Sequence, residues 1–339
     1  MRATERASAG VVPVVDVAPF LAGTAAGKRA VTRQIADACT DIGFFTIVGH
    51  GVSAGLVSET IEVTKAFFDL PLEEKLRVRQ PKPEQSRGYL GIGSENLSYS
   101  RGDQTTADLK ETFAIGRSDV PDTEDFCGPA AYPSFAPNLW PERPAEFQAV
   151  WTAYYRALET VTLSVMRMLA VALDLPEDHF WPSIDKHVSP LRANHYPEQK
   201  TPPLPGQLRA GAHTDYGVLT VLLPENVPGG LQVLSGLDRW VDVEAPPGAF
   251  VCNLGDLMQR WTNDRWRSTM HRVVNPAREQ SAGNRRVSFA FFHQPNYDAV
   301  IACLPTCSAP GNPPKYPPVS SSEHRLRKYL AGQGTGSDK

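Results

Sequence analysis

From about Val188 onward the apolar residues of this chain recur at every second position, a pattern that suits a strand and that a helix cannot gather on one face. Candidate strands fall at 190–196, 218–223, 230–234, 239–243, 249–253, 269–274, 286–293 and 299–304, separated by turns rich in Gly, Pro and Asn. Many short strands at such spacing predict a sandwich or a jelly-roll barrel. The first half reads differently. Short strands at 11–17 and 44–48 frame a helix over 28–42, where Val31, Ile35, Ala38 and Ile42 share one face. A second helix is expected from Ser53, read as its N-cap, to Asp69, and a short one opens near Leu70. The longest spans Glu146 to Leu175. With no internal repeat and no sharp change of composition, the chain reads as one structural unit in four stretches. These are a helical and mixed region (1–125), the long helix packing on the barrel (126–187), the barrel core (188–305) and a tail (306–339).

Charge excludes some functions. With 34 basic and 37 acidic residues the formal charge is −3, which gives no reason to expect nucleic acid or a membrane surface. The first ten residues hold no apolar core of signal-peptide length, and no stretch approaches a membrane span, so a cytoplasmic monomer is expected. Five cysteines form neither a disulfide framework nor a zinc-ribbon spacing.

The chemistry concentrates in a few positions. In an extended segment His213 and Asp215 project the same way, at the head of the run Val218–Leu223. An imidazole beside a carboxylate is two-thirds of the facial triad that holds non-haem Fe(II) with open positions. His271, in another strand-like segment, is the candidate third ligand. On the strand 286–293, Arg286, Ser288, Ala290 and Phe292 share a face that Gln294 extends, and Arg286 with Ser288 suits a carboxylate. Arg192, Asn194 and Tyr196 share a face in the same way. Arg192 is expected to pair with an acidic group on a substrate. Tyr89, Phe113, Leu231, Phe292 and Gln294 are candidates to line the substrate pocket. His50, between two glycines, reads as structural.

Several short motifs occur in one order: Gly49-His-Gly-Val52, Phe68-Asp-Leu-Pro-Leu-Glu-Glu-Lys75, Arg87-Gly-Tyr89, His213-Thr-Asp215, Gly229-Gly-Leu-Gln-Val233, Asn253-Leu-Gly-Asp256, His271-Arg-Val273 and Arg286-Val-Ser288. Together they resemble the isopenicillin N synthase-like family of Fe(II)- and 2-oxoglutarate-dependent dioxygenases, over roughly residues 11–305. The resemblance implies a mainly β fold with flanking helices around a double-stranded β-helix (jelly-roll) core. It implies iron bound by His213, Asp215 and His271, the distal carboxylate of 2-oxoglutarate bound by Arg286 and Ser288, and O2 as the other co-substrate. Asn194 and Tyr196 match the family's Asn-Tyr-Tyr strand, here Asn-His-Tyr, with His195 facing away, and the resemblance counts both among the residues that bind 2-oxoglutarate. The turn before Arg286 carries 279–284 as an insertion, and an alternative register would offer Arg285. The expected activity is oxidation of a small molecule, most simply its hydroxylation, with release of succinate and CO2. The rivals are a 2-oxoglutarate-independent oxidase of the same family and a metal-binding barrel without turnover.

Overall fold

A computed structural model describes residues 12–332 apart from 83, 99–105, 130, 132–133, 200, 226 and 278–282. The first ten residues and most of the expected insertion, 279–282, lie outside the described residues. The strands in chain order are β1 (Val14–Asp16), β2 (Phe44–Val48), β3 (Gly88–Leu90), β4 (Glu111–Ile115), β5 (Leu191–Tyr196), β6 (Ala210–His213), β7 (Leu219–Leu223), β8 (Leu231–Leu234), β9 (Trp240–Asp242), β10 (Phe250–Leu254), β11 (His271–Val273), β12 (Arg286–His293), β13 (Val300–Ile301) and β14 (Val319–Ser320). Among the described residues they form an eight-stranded sheet ordered β1-β2-β10-β7-β12-β5-β4-β3, a four-stranded sheet ordered β6-β11-β8-β9, and the small pair β13-β14. Every pairing is antiparallel except β1 with β2. Strands next to one another in the chain repeatedly fall on different sheets, as in a jelly roll: β6 to β7, and β10 to β11.

Four strands from the first 125 residues are hydrogen-bonded into the large sheet. That region therefore does more than pack against the barrel. The strands at 11–17 and 44–48 are expected from the sequence, but that they join the barrel's own sheet, with β3 and β4 at its other edge, is set by tertiary pairing. The candidate strand at 299–304 shrinks to Val300–Ile301 and pairs with the tail instead of a core strand.

The large sheet is two-faced by alternation. Leu219, Val221 and Leu223 of β7, Val287, Phe289 and Phe291 of β12, and Leu191 and Ala193 of β5 point to one side. There they join the long helix Phe147–Ala172, which packs beside Ala25–Asp41 and Ala54–Phe68. Phe147, Val150, Trp151, Tyr154, Leu158, Val161, Val165 and Met168 form its buried stripe, whereas Ala172 at its end is half-buried. Phe67, Phe113, Phe147 and Trp151 meet with ring centroids 5.0–5.2 Å apart. Each buried ring contributes about 2–3 kcal/mol of transfer free energy. Thr24 caps the first long helix through Gly27 N–H, but Ser53 makes no such side-chain bond. Among the described residues no helix is long and apolar enough to cross a membrane.

The other face of the large sheet looks across a cavity at the small sheet. Arg192, Asn194, Tyr196, Thr220, Leu222, Asn253, Arg286 and Ser288 line it from one side, and His213, Leu231, His271 and Val273 from the other.

Candidate metal centre and cosubstrate pocket

His213 ends β6, and β11 pairs with β6 so that His271 lies directly opposite it, ring centroids 4.3 Å apart. Asp215 is not in a strand, contrary to the extended reading of 213–215. It sits in the link that carries the chain from the small sheet (β6) to the large one (β7), since strand pairing ends at His213. The link is held tightly: Asp215 C=O accepts from Asp256 N–H at 2.8 Å, and a Cβ on Gly255 would come within 2.3 Å of Gly217 O. Only glycine permits so close an approach there.

Each potential ligand has one free donor atom. His213 Nδ1 bonds Gly211 O at 2.8 Å and His271 Nδ1 bonds Thr269 O at 3.1 Å, so both rings carry a proton on Nδ1 and turn Nε2 toward the centre. Asp215 Oδ2 accepts from Thr220 Oγ1 at 2.6 Å and from Asn253 Nδ2 at 2.7 Å, while Oδ1 has neither bond. Asp215 Oδ1 lies 3.7 Å from each Nε2, too far for a hydrogen bond, and the three donor groups fall within 4.8 Å of one another. Burial, with His271 beside it, pushes His213 down to about 3 and keeps it neutral. Burial resists ionisation of Asp215, but the two imidazoles and the Asn253 and Thr220 bonds outweigh it, and its carboxyl stays below the ordinary range. Two imidazole nitrogens and one carboxylate oxygen, converging on one point, suit a divalent iron.

Asn253 belongs to a motif visible in the sequence, but its role emerges only where β10 pairs with β7 and sets it opposite Thr220. Replacing it with alanine is expected to weaken Fe(II) binding about 10- to 100-fold, the usual cost of losing an outer hydrogen bond to a ligand. An Fe(II) titration with unchanged affinity would reject that role.

Along β12, Arg286 faces Tyr196 and Ser288 faces Asn194 across the ladder with β5. All four line the cavity together with the iron-type triad. Arg286 is 2% exposed, donates through one terminal nitrogen to Gly229 O at 3.0 Å, and lies 5.4 Å from the centre of the Tyr196 ring. Its Nε is buried and has no partner among the described residues. Burial lowers its pKa. A buried guanidinium with spare donors requires an anion, and a carboxylate fits its fork. Arg285, the other register, turns away to His195 Nε2 at 2.8 Å and to Asp69. His195 also faces away, bonding Glu111 at 2.7 Å and stacking on Phe68.

Of the expected pocket residues, Leu231, Phe292 and Gln294 line the cavity. Tyr89 and Phe113 do not. Phe113 is fully buried among Phe67, Phe147 and Trp151, and the Tyr89 hydroxyl is tied to Glu111 at 2.5 Å on the helix side. The two are cross-strand partners, Tyr89 on β3 and Phe113 on β4, and share the wrong face of the sheet. Arg192 does line the cavity, but its charge is already met by Glu95, with contacts of 2.9 and 3.0 Å, which corrects the expectation that it pairs with an acidic group on a substrate. Glu95, Lys110, Tyr216, Arg325 and Tyr329 also line it and were not singled out in the sequence. Arg325 and Tyr329 stand one turn apart on the helix Ser321–Gly332, a spacing that the tail's sequence does display.

Two family profiles match the chain. One, described as the N-terminal region of non-haem dioxygenases in morphine synthesis, covers residues 12–143, and the 2OG-Fe(II) oxygenase superfamily covers 187–295. A 2-oxoglutarate-Fe(II) type oxidoreductase of Emericella nidulans is 36% identical over 327 residues, spanning 95% of this chain and 90% of its own. The chain belongs to the 2-oxoglutarate–Fe(II) oxygenase superfamily. It is thus an Fe(II)- and 2-oxoglutarate-dependent oxygenase with O2 as co-substrate. A homoarginine-6-hydroxylase of Oryza sativa is 31% identical and spans 94% of the oxygenase and 96% of itself. Among solved structures, a full-length Neurospora crassa protein in complex with alpha-KG and thymine is 30% identical, with a TM-score of 0.83 and coverage of 97% and 98%. JOX2 in complex with 2OG, Fe and JA is 27% identical, with a TM-score of 0.75 and coverage of 100% and 93%.

Proposed function

We propose that this oxygenase hydroxylates a small organic molecule, holding iron through His213, Asp215 and His271 and seating the distal carboxylate of 2-oxoglutarate on Arg286 and Ser288. The single observation that carries the reading is the juxtaposition in one buried cavity of three converging ligand atoms with a guanidinium whose Nε has no partner among the described residues. When bound, iron couples decarboxylation of 2-oxoglutarate by O2 to oxidation of the substrate. In balance, a C–H bond, O2 and 2-oxoglutarate become a C–OH bond, succinate and CO2.

The residues supply geometry and a dry setting. Gly211 and Thr269 carbonyls fix both imidazole tautomers, and Thr220 with Asn253 leaves one Asp215 oxygen to bind the ion. Arg286 and Ser288 fix one end of 2-oxoglutarate, with Asn194 and Tyr196 alongside on β5. Leu222, Leu231, Val273, Ala290 and Phe292 exclude water around the reacting groups. Relatives named for homoarginine hydroxylation, and a neighbour holding thymine, support a small molecule as the substrate.

The test is succinate release by the Fe(II)-loaded enzyme with 2-oxoglutarate over a library of small molecules, followed by mass spectrometry of any consumed compound. One oxygen atom added, and derived from isotopically heavy O2, is the expected product. Loss of two hydrogens with no oxygen added would replace hydroxylation by desaturation.

A further inference from the structure

Ionisable side chains line the cavity beyond the triad and Arg286, and they do not cancel. Glu95 meets Arg192 at 2.9 Å and Lys110 at 3.5 Å, and Lys110 meets Asp108 at 3.2 Å. Two carboxylates thereby offset two cations. Arg325 remains. It is 8% exposed, its one bond is from a terminal nitrogen to Ser134 Oγ at 3.1 Å, and its Nε has no partner among the described residues. Among those residues no carboxylate pairs with it.

The neighbourhood sharpens the imbalance. Arg87, 4% exposed, spends its donors on the backbone carbonyls of Ala136, Ser86 and Ser134, so among the described residues it too is buried without a counter-charge. Burial lowers its pKa to about 10, and the Arg325 charge pushes the same way. Two cations buried near each other in a low-dielectric wall call for an anion.

Arg325 is also held in place from behind. On the helix Ser321–Gly332, Lys328 and His324 reach Asp256 at 3.3 and 3.8 Å, while Arg325 and Tyr329 face the cavity. Tyr329 OH accepts from Gln80 Nε2 at 3.3 Å. A guanidinium on a helix anchored in this way is positioned to read a ligand.

We propose that Arg325 is a specificity-determining residue of this oxygenase and that its substrate carries an anionic group, a carboxylate by its match to the guanidinium fork, seated against Arg325 beside Tyr329. The proposal rests on the oxygenase reading above.

The test uses the full-length enzyme loaded with Fe(II) and 2-oxoglutarate under argon. Three acid–amide pairs serve as probes: benzoate and benzamide, phenylacetate and phenylacetamide, homoarginine and homoarginine amide. Thermal denaturation and the visible charge-transfer band of the iron complex read binding without turnover. At least one acid is expected to raise the Tm and perturb the band, with its amide binding about tenfold weaker or worse. Arg325→Gln should erase the preference for acid over amide and Arg325→Lys should restore part of it, with the band for 2-oxoglutarate itself unchanged in both. Amides that bind as well as acids, acid binding unaffected in Arg325→Gln, or no acid binding at all would overturn the proposal. Failure of 2-oxoglutarate to give a band in the unaltered enzyme is a separate result, and it removes the oxygenase reading together with this one.

Discussion

An Asp215→Ala variant is expected to retain almost no iron and to release no succinate above background. The carboxylate is the one anionic donor in the proposed set of three, and its Oδ1 lies 3.7 Å from both imidazole nitrogens, so two imidazoles alone would remain to hold a divalent cation. Outer-shell losses weaken metal sites about 10- to 100-fold. Loss of the ligand itself should exceed that range. The same change strips Thr220 and Asn253 of their buried acceptor, at about 1–3 kcal/mol for each group left unsatisfied. Iron content by metal analysis therefore has to be read beside the Tm of the apoprotein, so that failure to bind is separated from failure to fold. A folded variant that keeps iron and turns over would sink the assignment of Asp215.

Arg286→Ala is expected to spare iron and lose 2-oxoglutarate. Truncating one partner of a buried charge pair costs about 3–5 kcal/mol, which corresponds to a loss of affinity of roughly a hundred- to several-thousand-fold. Lysine should recover only part of it, since a point charge cannot reproduce the fork or keep the contact with Gly229 O. The measurement is an anaerobic titration of the Fe(II) form with 2-oxoglutarate, following the charge-transfer band. A band of normal midpoint in Arg286→Ala would remove the arginine from the cosubstrate site and direct attention to Arg209. That residue is fully buried 5.8 Å from the same Tyr196 ring, and it shares the Gly229 carbonyl at 3.2 Å.

The parts of this architecture that are legible in the sequence are those governed by local rules. Period two determines which residues of β5 and β12 look inward, so Asn194, Tyr196, Arg286 and Ser288 come out together. His213 and His271 stand out as histidines at strand ends. What escapes is set by tertiary pairing. Tyr89 and Phe113 look like pocket residues by type, yet the β3–β4 pairing turns both toward Trp151 and the long helix. Glu95 lies in a stretch without periodicity, and only the fold brings it to Arg192, 97 residues further on. Arg325 belongs to a tail that reads as a single undivided segment, and its place at the cavity depends on a helix that Asp256 anchors from the other side.

The two-sided alternation of β12 also determines how this enzyme can change over evolution. Arg286 through Phe291 are paired with β5 and Phe289 through His293 with β7, so the strand is clamped along its length. Inserting or deleting one codon within it would exchange Arg286 and Ser288 for neighbours meant for the helix side, and would break both ladders in doing so. Single-residue indels there should be lethal to function, whereas many point substitutions at Ala290 or Phe292 should survive. New substrate ranges are therefore expected to arise by point changes at such cavity positions and from the walls supplied by other segments, the helix bearing Arg325 and Tyr329 foremost, while β12 keeps its length.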